Sequence, residues 1–101
     1  AAAWRARAAA LLARWLDLNP SVIVFDDPTR GIDVGAKDEI YRLIRELAAR
    51  GVGLLVVSSD MEEVLRISDR VLVMREGRVT GDIPRHEATE EAILSRAVHH
   101  A

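Results

Sequence analysis

The chain has 101 residues and a formal net charge of −2, from 14 basic and 16 acidic side chains. That length allows one small domain or part of one. The near-balanced charge offers no broad basic field for nucleic acid, and the absence of cysteine excludes disulfide frameworks and thiolate metal sites.

Half of the residues are apolar, yet alanine inflates that figure, and residues 1–10 contain only Ala, Trp and Arg. No uninterrupted apolar run approaches the ~20 residues of a bilayer-spanning helix. Arg5, Arg7 and Arg14 interrupt the Ala-rich start, which does not read as a signal peptide. Ala1 in place of an initiator Met predicts a fragment or a processed chain.

Residues 2–18 read as a helix, because Ala, Leu and Arg are good helix formers. Leu11, Leu12, Trp15, Leu16 and Leu18 give it an apolar stripe. Trp4 and Trp15 lie three turns apart and share a face, which fits packing or an interface. Asn19-Pro20 ends the helix.

Val22-Ile23-Val24-Phe25 is a continuous β-branched and aromatic run. It predicts a strand buried on both faces, as in a parallel sheet. A polar loop follows, from Asp26 to Gly35. A second helix is expected over 36–50, with Ile40, Leu43, Ile44 and Leu47 on one face and Gly51 as its terminator.

Leu54-Leu55-Val56-Val57 reads as a second buried strand. Ser59 and Glu62 match a capping box that starts a short helix through about Ile67. Residues 71–74 and 78–80 flank Glu76-Gly77 as a hairpin. Thr89 caps a last helix over 90–98. The acidic pairs Asp38-Glu39, Glu62-Glu63 and Glu90-Glu91 sit near helix starts, where they suit the helix dipole on a solvated face. Alternating helices and strands give an α/β fold with a parallel sheet, and no internal repeat or second domain is visible.

The most suggestive residues for chemistry are Asp26 and Asp27, where a buried strand leaves its sheet. Ligands gather at the carboxyl ends of strands in open α/β sheets. One acid there can hold Mg²⁺ and its neighbour can orient or deprotonate a water. Asp-Asp-Pro is equally good turn chemistry. Ser58-Ser59-Asp60 ends the second strand; it reads as a helix cap that lies near Asp26 if the two strands are neighbours.

Gly31 to Asp38 fails the phosphate-loop pattern in spacing and in its final hydroxyl. Gly51 and Gly53 precede a strand and so do not form a dinucleotide turn. His86-Glu87 lacks the second His of a zinc-protease helix, and His99-His100 are terminal.

Taken in order, these segments resemble the ATP-binding cassette (ABC) ATPases. The carriers are Leu11 to Leu16, Asn19-Pro20, the acidic strand and Pro28-Thr29-Arg30-Gly31-Ile32-Asp33-Val34-Gly35-Ala36-Lys37. Glu39-Ile40-Tyr41, Ser58 to Met61, Ser68 to Met74, Glu76-Gly77-Arg78 and Glu87 to Leu94 continue the string. The likeness is to the ATP-binding subunit of bacterial carbohydrate importers of the ribose/galactose/xylose type. It covers residues 11–98 and leaves 1–10 outside.

The resemblance implies a partial P-loop NTPase sheet with flanking helices and a carboxy-terminal hairpin plus helix, residues 1–101 forming one partial domain. By position, Asp26 matches the acid that holds Mg²⁺ in the family, and Asp27 stands at the catalytic-glutamate position. Asp33 matches the D-loop acid at the interface between two cassettes, and Ser59 occupies the switch-histidine position. The Thr-Arg-Gly-Ile-Asp-Val-Gly-Ala-Lys run and Ser58-Ser59 look like the second of two fused cassettes.

Asp27 is one methylene shorter than Glu, a loss of about 1.5 Å in reach. Misplacement of that order costs about a hundredfold in rate. Ser59 has no imidazole to offer a γ-phosphate. The resemblance therefore implies a half-site that binds nucleotide but hydrolyses it poorly.

The family's Walker A loop, Q-loop and signature motif have no counterpart in these residues, so no ATP turnover and no tight ATP or Mg²⁺ binding is expected of the chain alone. Its implied partners are a second cassette and transporter membrane subunits at the inner face of the bacterial membrane. The alternative is a non-enzymatic module that self-associates or binds a partner through the sheet edge and core face a missing half would cover. A free-standing Mg²⁺-dependent phosphohydrolase would need a further acid or basic anchor beside Asp26 and Asp27.

Overall fold

The computed structural model describes residues 2–98, apart from the side chains at positions 2–6, 8, 9 and 12. The expected pairing of Trp4 with Trp15 and the roles weighed for His99 and His100 lie outside the described side chains and residues. The chain divides into two compact units, residues 1–59 and 60–101.

The first unit holds helix α1 (Ala2–Leu18), strand β1 (Val22–Asp26), helix α2 (Val34–Ala49) and strand β2 (Gly53–Val57). Asn19 closes α1 in the left-handed region, at φ 49°, and its N–H donates to Leu16 O. Asp33 caps α2, its carboxylate accepting the Ala36 N–H at 2.9 Å. Gly51 ends α2 at φ 89°. Its N–H donates to Ala48 O while that of Val52 reaches back to Leu47 O. This paired closure satisfies carbonyls the helix leaves open and needs the left-handed conformation that glycine adopts without strain.

β1 and β2 pair in parallel, from Val22 opposite Gly53 to Asp26 opposite Val57. Ile23, Leu43 and Leu47 form the core of this unit, with Trp15, Leu16, Phe25, Val52 and Leu54 packed around them. The i, i+3, i+4 spacing along α2 places Ile40, Leu43, Ile44 and Leu47 on its buried face.

The expectation that β1 is buried on both faces is corrected here. The pair buries only the face of Ile23 and Phe25, which α2 and the end of α1 pack against. On the other face Val22 and Val24 are 63% and 61% exposed, and Leu55 and Val57 are 50% and 51% exposed. The apolar run is continuous because both faces are apolar, not because both are covered.

The second unit holds helix α3 (Met61–Ile67), strands β3 (Arg70–Arg75) and β4 (Arg78–Pro84), a single 3₁₀ turn (Arg85–Glu87) and helix α4 (Glu90–Ala97). β3 and β4 form an antiparallel hairpin with an irregularity between Val73 and Met74. Glu76 and Gly77, both at positive φ, make its two-residue turn. Val71, Val73 and Ile83 face inward to meet Ile93 of α4, joined by Met61, Val64 and Leu65 of α3. Thr89 caps α4 as expected, accepting the Ala92 N–H at 3.0 Å.

Two local expectations change. Asp60, not Ser59, caps α3: its carboxylate accepts the N–H groups of Glu62 and Glu63. Glu63, expected on a solvated face, is 2% exposed. In addition, Asp38 and Glu39 lie a turn inside α2, whose first turn contains no acid.

Candidate functional site

The site lies in the first unit, where β1 and β2 both end. Asp26 is the last residue of β1, directly opposite Val57 in the register. It is exposed, on the same face as Val22 and Val24. The chain then turns sharply. Asp27 adopts the left-handed conformation, φ 44°, which an Asp tolerates better than most residues. Its own N–H donates to Val57 O at 2.7 Å and extends the parallel pairing by one residue. Its carbonyl accepts the Arg30 N–H, closing a turn that buries Thr29.

The Asp27 side chain is the centre of the local hydrogen bonding. One oxygen, Oδ1, accepts the Ser59 N–H at 2.9 Å and the Ser59 hydroxyl at 3.0 Å. The other, Oδ2, lies 3.0 Å from an Arg30 guanidinium nitrogen. The Ser59 N–H holds the Asp27 carboxyl below its ordinary range and the Ser59 hydroxyl adds to that; desolvation opposes them, and Arg30 contributes the weakest attraction. Asp27 is thus kept as an anion with both oxygens engaged.

Of the four residues singled out from sequence, the structure joins Asp27 and Ser59 directly and sets Asp26 beside them on the adjoining strand position. Asp33 is engaged elsewhere, as the cap of α2. Arg30 was not singled out as a site residue. Its signal was an opposite charge three residues beyond Asp27 across a Pro-containing turn. Asp60 lies in the capping segment Ser58-Ser59-Asp60, and Asp60 with Glu63 fits the same spacing rule as Ser59 with Glu62.

Among the described residues no group of three or more His, Asp or Glu side chains could hold a metal ion. Mg²⁺ takes six oxygen ligands in near-octahedral geometry. Asp26 could provide one of them and Asp27 Oδ2, which faces Arg30, at most another, so these residues by themselves do not make a complete Mg²⁺ site. Nor is any helix among the described residues long and apolar enough to cross a membrane.

No protein-family model matches the chain. Individual relatives do. The chain is 64% identical over 88 residues to the arabinose import ATP-binding protein of Vibrio parahaemolyticus, covering 87% of this chain and 17% of that protein. It is 55% identical over 87 residues to the xylose import ATP-binding protein of Geobacillus kaustophilus, covering 86% and 17%. A ribose import ATP-binding protein of Streptomyces avermitilis is 56% identical over 91 residues, covering 90% and 18%. The chain therefore spans less than a fifth of the length of these curated relatives.

Among solved structures, a nucleotide-free ATP-binding cassette from an ABC transporter superposes with a TM-score of 0.72 at 27% identity, covering 91% of this chain and 36% of that one. CbiO1 of Clostridium perfringens, part of an ABC transporter complex, gives 0.64 at 32% identity, covering 77% and 32%. In sequence the chain is similar to part of ATP-binding proteins named for arabinose, xylose and ribose import, and in fold to part of the ATP-binding cassettes of ABC transporters.

Proposed function

We propose that these residues form the Walker B to carboxy-terminal part of the second cassette in an ATP-binding subunit that energises sugar import. The observation that carries this reading is the run from Asp26 to Lys37 at the end of one parallel strand, with Ser58-Ser59 at the end of its neighbour. Asp26 is the proposed Mg²⁺ ligand, Asp27 stands at the catalytic-acid position, Ser59 at the switch position and Asp33 at the interface with a partner cassette. The subunit would work with membrane subunits at the cytoplasmic face. Relatives named for arabinose, xylose and ribose match the chain at 55–64% identity, which supports a role common to several sugars rather than sugar recognition.

This half-site is proposed to be weak in hydrolysis. Asp27 reaches less far than Glu, its carboxylate is held anionic by Ser59 and Arg30, and Ser59 carries no imidazole. A general base works best with a pKa near the operating pH and a free lone pair. The test is ATP turnover in the full two-cassette protein with the first cassette's catalytic acid disabled. Little remaining turnover is expected, and substantial turnover contradicts the proposal. The 101-residue chain, which has no phosphate loop, is expected to show no ATPase activity; turnover abolished by Asp26→Asn would refute that.

A second reading is favoured by one observation, the exposed apolar face of Val22, Val24, Leu55 and Val57. A face of this kind drives association, and the module would self-associate through it. Light scattering after size exclusion decides: a clean monomer at high concentration rejects this reading.

A further inference from the structure

Ser59 has a single hydroxyl proton, and the structure directs it to Asp27. An ionised carboxylate only accepts, so at 3.0 Å the hydroxyl must be the donor. What remains on Ser59 Oγ is acceptor capacity. The Ser59 N–H is committed to the same oxygen at 2.9 Å. Asp27 Oδ2 is meanwhile occupied by Arg30. The Ser59 N–H and hydroxyl therefore fill the acceptor sites of Asp27 Oδ1, and both Ser59 protons are spent there.

We propose that Ser59 and Arg30 are positioning residues that hold Asp27 from its two oxygens, forming a strap that ties the turn after β1 to the end of β2 and keeps Asp27 Oδ1 and the Ser59 N–H and hydroxyl proton from serving a ligand while it is closed. In this state Asp27 Oδ1 has no lone pair left for a water, and Ser59 is no donor to a phosphate oxygen. The consequence for hydrolysis rests on the ATP-site reading above; the strap itself does not, and the experiment reads the strap alone.

The two arms differ in weight. The Ser59 arm is a charge-assisted pair of bonds between residues 32 apart in sequence. The Arg30 arm is a surface ion pair, with the Arg30 side chain 75% and the Asp27 side chain 21% exposed. Such pairs contribute little by themselves. Arg30 thus orients the carboxylate, while Ser59 holds the strand ends together.

The test uses the isotope-labelled 101-residue chain in solution. Coupling across the hydrogen bond, between the Ser59 amide nitrogen and the Asp27 carboxyl carbon, is expected in the wild type. In Asp27→Ala the Ser59 amide should exchange with solvent on the order of tenfold faster, as expected for loss of a bond to a charged acceptor, while the Val57 amide in β2 keeps its protection. Asp27→Asn, which retains an acceptor oxygen but carries no charge, should fall between the two; it also serves if the Ala variant does not fold. In Arg30→Ala the Asp27 carboxyl resonance should move, and Arg30→Lys should restore it. Absence of the coupling, or Ser59 exchange unchanged in both Asp27 variants, overturns the strap. A carboxyl resonance indifferent to Arg30→Ala removes Arg30 from it.

Discussion

The two units handle the second face of their sheets in opposite ways. In the first, the parallel pair packs Ile23 and Phe25 inward and leaves Val22, Val24, Leu55 and Val57 open to solvent. In the second, the antiparallel hairpin packs Val71, Val73 and Ile83 inward. Its outer face mixes Leu72, Met74 and Val79 with a bidentate ion pair, Arg70 Nε and Nη2 to the two Asp82 oxygens at 2.7 and 2.6 Å. Antiparallel sheets commonly leave one face in water and furnish it with polar groups, whereas parallel strands are apolar on both faces because both are normally covered. The first unit thus carries a surface with the composition of a core, and the strand ends bearing Asp26, Asp27 and Ser59 lie along its edge.

The largest effects should come from the two deepest side chains, Leu47 at 0% exposure and Ile83 at 1%. Leu47→Ala and Ile83→Ala should each cost about 2–5 kcal/mol, the usual range for emptying a packed aliphatic site. Amide exchange should loosen β1 and β2 in the first variant and β3 and β4 in the second. Loosening of both units by either substitution would erase the distinction between them.

Gly81→Ala should follow. A Cβ there would collide with the Arg96 side chain, including its Cβ and Cγ at 3.1 Å, which are close to the α4 backbone. Overpacking of this kind costs about 1–3 kcal/mol. Denaturant unfolding should record the loss, and amide exchange should confine it to β4 and α4.

A smaller change in stability separates the two outer faces. Val24→Thr with Leu55→Thr should alter unfolding free energy by less than about 0.5 kcal/mol per site and should reduce association measured by light scattering. Leu72→Thr on the hairpin should reduce it less, because that face already carries the ion pair.

The smallest effect is pH-dependent. Hydrogen bonding from Arg70 holds the Asp82 carboxyl below its ordinary value. A carboxyl lowered on folding stabilises the folded state above its unfolded pKa, and that stabilisation is lost as pH falls through the lower folded value. The hairpin should therefore lose a slight margin below about pH 4, and Asp82→Asn should remove this dependence. Both groups are exposed, so salt should weaken it as well.

Most elements were legible because their signals are local. The spacing of Ile40, Leu43, Ile44 and Leu47 marks one helical face, Gly51 ends that helix, Thr89 starts α4 and Glu76-Gly77 turns the hairpin. Each depends on residues within a few positions of one another. The misreadings lie where local rules compete. Ser59 and Asp60 are both good caps, and Ser59 is drawn to Asp27, leaving Asp60 to cap α3. A helix-start acid is usually solvated, yet Glu63 is buried.

By itself, the sequence determined the order of helices and strands, the parallel-strand character of β1 and β2, and the placement of Asp26, Asp27 and Ser59 at strand ends. Periodicity and turn chemistry encode those features over short distances. Only the tertiary structure decided that one face of the parallel pair stays open, that Asp27 turns left-handed, and that its two oxygens go to Ser59 and Arg30. Those outcomes depend on which groups a folded chain brings within about 3 Å of each other, and residues far apart in sequence carry no local record of that meeting.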